Sequence, residues 1–260
     1  MKNVFILAAA LLFSGSNASA GTITDIGANA YWGGDAHGHG DIIGSSLFDV
    51  KSAKVTMTGT LLRIQIATNF AGHAGVQSWA APKGIGYGDV FLASAWKPFG
   101  ADLHHAGDNA AKGTLWSYGL NLDNRWSNTG GAFKLYELNA AANGSNIVNS
   151  DSFMSCAMGS QCYYRNGQAT AVKTDSANVR NTGLAGTWTV SANNSLSFAI
   201  DVQGTGLAGY SAMALHWGQT CQNDVIEGMT DVPEPASLAL FAIALAGLAA
   251  RRRSFKAVAL

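Results

Sequence analysis

Apolar and polar residues alternate with a period of two along most of residues 21–231, and clusters of Gly, Asn, Asp and Ser interrupt the alternation. The most regular segments are 196–202 and 213–217. This pattern is typical of short antiparallel strands joined by turns. The length accommodates at least eight strands, which predicts an all-β fold. We expect a β-sandwich of the jelly-roll or concanavalin-like type.

The alternation changes phase within residues 58–60. Val55 and Met57 are apolar at odd positions, whereas Ile64 and Ile66 are apolar at even positions. A one-residue shift of this kind is produced by a tight turn or a bulge. The sequence therefore predicts a β-hairpin around Gly59.

A glycine-rich segment, residues 204–209, spells the dinucleotide-binding pattern G-x-G-x-x-G. That function requires a strand before the glycines and a helix after them. Residues 210–217 instead alternate as in a strand, so we predict a turn between two strands and no nucleotide site.

The N-terminal twenty residues have the organisation of a secretion signal. Lys2 supplies the positive charge, residues 4–13 are apolar, and small residues end in Ala18 and Ala20. Signal peptidase accepts small side chains at the first and third positions before its cut. We predict a signal helix over residues 1–20, cleaved between Ala20 and Gly21.

Three further features stand in order after residue 231: a Pro-Glu-Pro triplet, an uncharged apolar stretch and an arginine cluster. They are Pro233, Glu234 and Pro235, then residues 236–250, then Arg251, Arg252 and Arg253. The apolar stretch is shorter than the roughly twenty residues that span a bilayer, so it predicts a short transmembrane helix. Positive charges beside such a helix are retained in the cytoplasm, which leaves the triplet outside.

This order resembles the sorting signal of the PEP-CTERM family of exosortase substrates, a segment also labelled an ice-binding protein C-terminal region. The resemblance implies that exosortase recognises the triplet and cuts the chain there. It also implies transient anchoring in the inner membrane, followed by delivery to the cell surface or the extracellular space. The expected organisation is a signal peptide at 1–20, an extracellular β-sandwich at 21–231 and a sorting region at 232–260.

Two blocks of the folded part, residues 31–50 and 215–228, are similar to segments of a group of PEP-CTERM surface proteins. They extend the resemblance to most of the mature chain. The expected function is that of a non-enzymatic surface or extracellular-matrix protein associated with exopolysaccharide or biofilm. Signal peptidase and exosortase are the expected processing partners.

The folded part is acidic. Without five basic residues and one acidic residue of the end segments, eleven basic and fifteen acidic residues remain, a net charge of −4. This balance argues against a nucleic-acid partner.

Two other functions remain open. A carbohydrate-binding, lectin-like module would stack sugar rings on tryptophans of loop-like segments. The candidates for that role are Trp32, Trp79, Trp96 and Trp126. A secreted glycan-active enzyme would need two carboxyl groups at a fixed separation, and Glu137 and Glu227 are the glutamates outside the tail.

Three cysteines in an exported chain favour a disulfide. Cys156 and Cys162 enclose a short loop whose closure costs little entropy, so we predict a bridge between them. A bridge from Cys221 to either residue is the alternative.

Acidic residues near both ends of the folded part suggest a cation site. Asp35 and Asp41 flank His37 and His39, a cluster that also fits a polar loop without a metal. Calcium prefers six to eight oxygen ligands, more than two carboxylates of one loop provide. We therefore expect any calcium site to combine Asp35 and Asp41 with Asp224, although the fold requires no cofactor.

Overall fold

The computed structural model describes residues 21–25, 30–31, 41–100, 108–109, 111–155 and 164–232. These residues form sixteen strands and four short 3-10 helices, and they contain no α-helix. The strands are β1 (Gly21–Thr24), β2 (Ala30–Tyr31), β3 (Ile42–Ile43), β4 (Val50–Thr58), β5 (Leu61–Thr68), β6 (Val76–Ser78), β7 (Ala81–Ile85), β8 (Val90–Ala93), β9 (Tyr118–Leu122), β10 (Gly130–Leu138), β11 (Ile147–Asn149), β12 (Ala169–Val172), β13 (Val179–Ser191), β14 (Ser195–Asp201), β15 (Ala212–Gly218) and β16 (Val225–Asp231). The 3-10 helices are η1 (Ser46–Phe48), η2 (Asn143–Ser145), η3 (Ser150–Ser152) and η4 (Gly206–Gly209).

Ten strands form one antiparallel sheet in the order β1-β4-β5-β14-β13-β10-β9-β8-β15-β16. The edge strands β1 and β16 contact each other. Gly21 lies against Thr230, and Gly228 lies against Ile23, so glycine at both places allows the close approach. The sheet therefore curves until its first and last strands meet.

The prediction of an all-β fold is confirmed, whereas the jelly-roll or concanavalin-like type stays a prediction. The predicted signal helix and the predicted transmembrane helix lie outside the described residues. Within the part of the chain that the structure describes, no helix is long and apolar enough to cross a membrane.

The predicted hairpin around Gly59 is confirmed. β4 and β5 pair antiparallel up to Thr58 and Leu61, and Gly59 has a φ of 60° in the left-handed region that favours glycine. The glycine-rich segment is also a turn, as predicted, because it contains η4 and leads into β15.

The main core fills the inner face of the curved sheet, where alternate residues of both halves meet. Tyr87 is central to it, with its ring centroid 5.5 Å from that of Phe70 and 5.5 Å from that of Trp188. The apolar positions that predicted strands 196–202 and 213–217 are buried in this core. Alternation along the sequence thus identified the inner face correctly.

A second, smaller core covers the outer face of β8 and β15. Phe91 and Ala214 point outward from these strands and are buried under Val172 of β12 and Trp116. The two strands are therefore buried on both faces. This arrangement places polar side chains of the outer face, such as that of His216, in a solvent-excluded environment.

Candidate functional site

The connection between β15 and β16 holds the N-terminal part of the domain. Asn223 exchanges two hydrogen bonds with Ile43, through its backbone oxygen (2.7 Å) and its amide nitrogen (2.9 Å). The amide of Val50 donates to Oδ2 of Asp224 at 2.6 Å. All four residues are buried, so hydrogen bonds within the domain interior join segments that are 174 and 180 residues apart in sequence.

Three carboxylates meet at this connection. Asp25, Asp41 and Asp224 each offer an oxygen that lies within 4.8 Å of the other two. The guanidinium of Arg165 lies beside them and donates to the backbone oxygen of Asp41 at 2.5 Å. Three carboxylates therefore lie beside the positively charged side chain of Arg165.

Burial raises the pKa of Asp224 well above its ordinary value, and the negative charges of Asp25 and Asp41 raise it further. The charge of Arg165 and the hydrogen bond from Val50 lower it, but they do not cancel the increase. A buried carboxylate in this position must take up a proton or face an additional cation. The cluster can therefore hold a proton or bind a further cation.

The structure brings together two of the three aspartates predicted for a metal, Asp41 and Asp224. The third, Asp35, lies outside the described residues, as do His37 and His39. Asp25 was missed, although its position directly after β1 was a signal that it stands at a strand end. Arg165 gave no signal, because no pattern relates it to the aspartates.

A second polar cluster lies on the outer face of the sheet, where His216 and Glu227 stand opposite each other on β15 and β16. Nδ1 of His216 is 2.8 Å from Oε2 of Glu227, and Nε2 is 2.8 Å from the carbonyl oxygen of Ala169. The indole of Trp96 donates to Oε1 of Glu227 at 2.9 Å. The parity of His216 placed it off the main core face, but its burial and its partners were not predictable.

Asp108 completes this cluster and forms a side-chain hydrogen bond with Glu227. Burial raises the pKa of Asp108 to about 8, with further contributions from the hydrogen bond and the charge of Glu227. Burial also acts to raise the pKa of Glu227, but hydrogen bonds from His216, Asp108 and Trp96 outweigh it and lower that pKa. Near neutral pH, Asp108 thus holds the proton that the two carboxyl groups share.

We expect the free energy of unfolding to fall between pH 5 and pH 9. The folded protein keeps the Asp108 proton up to about pH 8, whereas an unfolded aspartate loses it near 3.8, so the folded state binds more protons in this range. One pKa unit corresponds to ~1.4 kcal/mol, and we expect a decrease of about 2–4 kcal/mol from this group. Denaturant unfolding at several pH values measures it.

Asp108→Asn is the informative variant. Its amide donates to Glu227 as protonated Asp108 does, and its oxygen still accepts from the amide of Phe99. We expect a smaller pH dependence for this variant and the wild-type slope for Asp175→Asn, which changes an exposed carboxylate. Equal slopes in wild type and Asp108→Asn would contradict the assignment.

Asp89 is the centre of a third buried network. It accepts four hydrogen bonds, of which one comes from the guanidinium of Arg125 at 3.1 Å. The other donors are the amides of Leu122 and Val172 and the side chain of Asn121. The network joins the loop after β9 to β12 and is fully hydrogen-bonded, as expected for a structural ion pair.

The two glutamates that the enzyme alternative requires are not brought together. Glu137 lies on β10 and forms an exposed ion pair with Arg180, whereas Glu227 lies four strands away on β16. The acidic partner of Glu227 is Asp108, and the two groups are in direct hydrogen-bonding contact. Glycosidases keep their carboxyl groups ~5–9.5 Å apart to accommodate the sugar or a water.

Three of the four predicted sugar-stacking tryptophans are described, and Trp32 is not. Trp79 follows β6 and is 66% exposed. Trp126 lines a cleft of about 250 Å³ together with Phe153 and Lys83. The indole nitrogen of Trp96 donates a hydrogen bond to Glu227. An exposed indole and an aromatic cleft are thus available on the side of β6 and β7.

Cys221 is buried and forms no disulfide with any described residue. Burial raises the pKa of its thiol to about 12. Cys156 and Cys162 lie outside the described residues, and the bridge between them stays a prediction.

The predicted processing sites flank the described domain. β1 begins at Gly21, the residue after the predicted signal-peptidase cut, and β16 ends at Asp231, two residues before the Pro-Glu-Pro triplet. Ala18, Ala20, Pro233, Glu234, Pro235 and the three arginines lie outside the described residues.

Comparison with known proteins identifies this last region. No curated protein and no solved structure matches the chain. Residues 231–253 match the family described as the PEP-CTERM protein-sorting motif, which contains the triplet, the apolar stretch and the arginine cluster. The chain therefore carries the PEP-CTERM sorting motif of exported surface proteins that exosortase processes.

Proposed function

We propose that this protein is a non-enzymatic surface or extracellular-matrix protein that associates with the exopolysaccharide of its host. The observation that carries the proposal is the PEP-CTERM motif, which begins at the last residue of β16. Export machinery would thus deliver a folded β-domain to the place where the polysaccharide accumulates. The four hydrogen bonds that Asp89 accepts in its buried network support a structural role for that network.

Cell fractionation tests this proposal. We expect the protein in the polysaccharide fraction of a host that makes exopolysaccharide, and in the culture medium of a strain unable to polymerise it. Retention by a matrix requires that matrix, whereas a membrane-held or freely secreted protein does not depend on it. The same distribution in both strains would refute the association.

A lectin-like module is the second candidate, and the 66% exposure of Trp79 favours it. An exposed indole offers a large apolar face to a sugar ring. The cleft lined by Trp126 and Phe153 adds two more aromatic groups on that side of the domain. Such a module would bind neutral sugars by stacking, without a charged group.

Calcium is the cation that we propose for the cluster of Asp25, Asp41 and Asp224. Oxygens within 4.8 Å of one another fit a common ion, because calcium binds oxygens at about 2.3–2.6 Å. Calcium would neutralise the negative charges that raise the pKa of Asp224. It would act here as a structural link between the N-terminal segment and β16.

Millimolar calcium is expected to raise the melting temperature of the purified protein. A ligand at a hundred times its Kd stabilises the folded state by about 2.7 kcal/mol. Differential scanning calorimetry measures the shift. Asp25→Asn should reduce it, whereas Asp175→Asn, which changes an exposed carboxylate outside the cluster, should not. An unchanged melting temperature with calcium would leave the cluster as a protonated structural element with Arg165.

A further inference from the structure

Four neighbouring strands, β4, β5, β14 and β13, form a groove of about 370 Å³ on the outer face of the sheet. Two rows of side chains cross these strands. The first row is Lys54, Gln65, Ser197 and Thr189, and the second is Thr56, Arg63, Ala199 and Thr187. The side chains of these rows carry hydroxyl, amide and cationic groups, and Ile64, Phe198 and Ala199 add apolar surface to the groove.

The shape of the groove follows from the side chain of Ala199. This small residue stands between Arg63 and Thr187 in the second row and leaves a depression at the centre of the face. Adjacent strands lie about 4.8 Å apart, so four strands provide a path of about 14 Å. An elongated ligand that crosses the strands fits this geometry.

Positive charge is concentrated at one end of the groove. Lys54 and Arg63 lie on neighbouring strands at diagonal positions, and neither forms an ion pair with a described residue. Asp201, the acidic residue of β14 on this face, accepts hydrogen bonds from Thr60 and from the amide of Gln203. In a domain whose net charge is −4, Lys54 and Arg63 thus form a local cationic site, with Asp201 as the acidic residue nearest to it along β14.

We infer that this groove binds an acidic polysaccharide. Lys54 and Arg63 pair with a carboxylate of the polysaccharide, since a guanidinium binds carboxylates through parallel hydrogen bonds. The hydroxyl and amide groups of Thr187, Thr189 and Gln65 bind the sugar hydroxyls beside it. The inference rests on the proposed function and specifies its ligand class and its site.

The number of cations distinguishes this ligand from other polyanions. Recognition of nucleic acids uses many phosphate contacts, and anionic membranes attract clusters of about 4–8 basic residues. Two cations in a recess lined by hydroxyl groups suit a chain with widely spaced negative charges. A flat membrane surface also could not reach the groups at the bottom of the groove.

The experiment measures binding of the purified mature protein to polygalacturonate, a uronic-acid polymer, and to neutral dextran. We expect binding to polygalacturonate alone, weakened by salt. The double variant Lys54→Gln/Arg63→Gln should bind about tenfold more weakly or worse, because two charge-assisted hydrogen bonds are lost. Ala199→Glu, which fills the depression with a negative charge, should bind equally weakly.

Lys97→Gln/Lys173→Gln is the matched control, since it removes two positive charges from residues that do not line the groove. It should bind as the wild type does, and equal melting temperatures show that all variants fold. Wild-type binding by both groove variants would overturn the inference while leaving the proposed function intact. Three other results would also overturn the inference. They are equal binding to dextran and polygalacturonate, loss of binding in Trp79→Ala but not in the groove variants, and binding to anionic lipid vesicles that requires Lys54 and Arg63. Failure of the wild type to bind both polygalacturonate and the host's own exopolysaccharide would overturn the proposed function as well.

Discussion

Replacing Asp89 by alanine is expected to lower the free energy of unfolding by about 3–5 kcal/mol, the cost of breaking a buried ion pair. The variant leaves the guanidinium of Arg125 in a site that excludes solvent, without its carboxylate. It also leaves the amides of Leu122 and Val172 without their acceptor. Urea or guanidinium unfolding of the purified protein measures the loss.

The matched control is Glu137→Ala, which breaks the ion pair with Arg180. The side chain of Arg180 is 61% exposed and keeps its hydration, so we expect a much smaller loss than for Asp89→Ala. Adding Arg125→Met to Asp89→Ala removes the uncompensated charge and should recover part of the stability. Similar losses for Asp89→Ala and Glu137→Ala would show that the buried network is not a stabilising element.

Replacing the Pro-Glu-Pro triplet by alanines is expected to prevent C-terminal processing almost completely. Wild-type protein from the native host should begin at Gly21 and end near residues 233–235, because each end carries a processing signal. The variant should retain residues 236–260 and remain with the cell membrane. Mass spectrometry of the purified forms, with cell fractionation, shows both effects.

Asp231→Asn is the control for that experiment. It changes a residue within the matched motif that belongs to the last strand of the folded domain. We expect normal processing, because recognition is assigned to the triplet and the arginine cluster. Surface-located wild-type protein that still contains Arg251–Arg253 would contradict exosortase processing.

The sequence allowed prediction of the strands and their inner faces, because burial of one face imposes a period of two. Leu196, Phe198 and Ile200 alternate with the small residues Ser197 and Ala199 and are all buried in the main core. The hairpin at Gly59 was predictable for a similar reason, since its turn shifts the phase of the pattern. These features depend on neighbours in sequence.

Features that depend on distant segments were only partly predictable. Alternation placed His216 on the outer face of β15, but it contained no information that β12 covers that face. The cluster of Asp25, Asp41 and Asp224 likewise depends on contact between β1 and β16, which lie at opposite ends of the domain in sequence. Local sequence patterns determine which face of the sheet a side chain occupies, whereas the topology determines which distant residues it contacts.

The contact between Gly21 and the end of β16 makes the domain almost circular. A side chain at Gly21 would overlap Thr230 and the backbone of Asp231, so the two ends of the described domain lie side by side. A short peptide linker would join them without disturbing either strand. New ends could then open in the turn at Asn193, which connects β13 and β14 and has a φ of 55°. Such a circular permutant would keep the same sheet but change the order in which its strands emerge during secretion. It would show whether folding of the domain depends on that order.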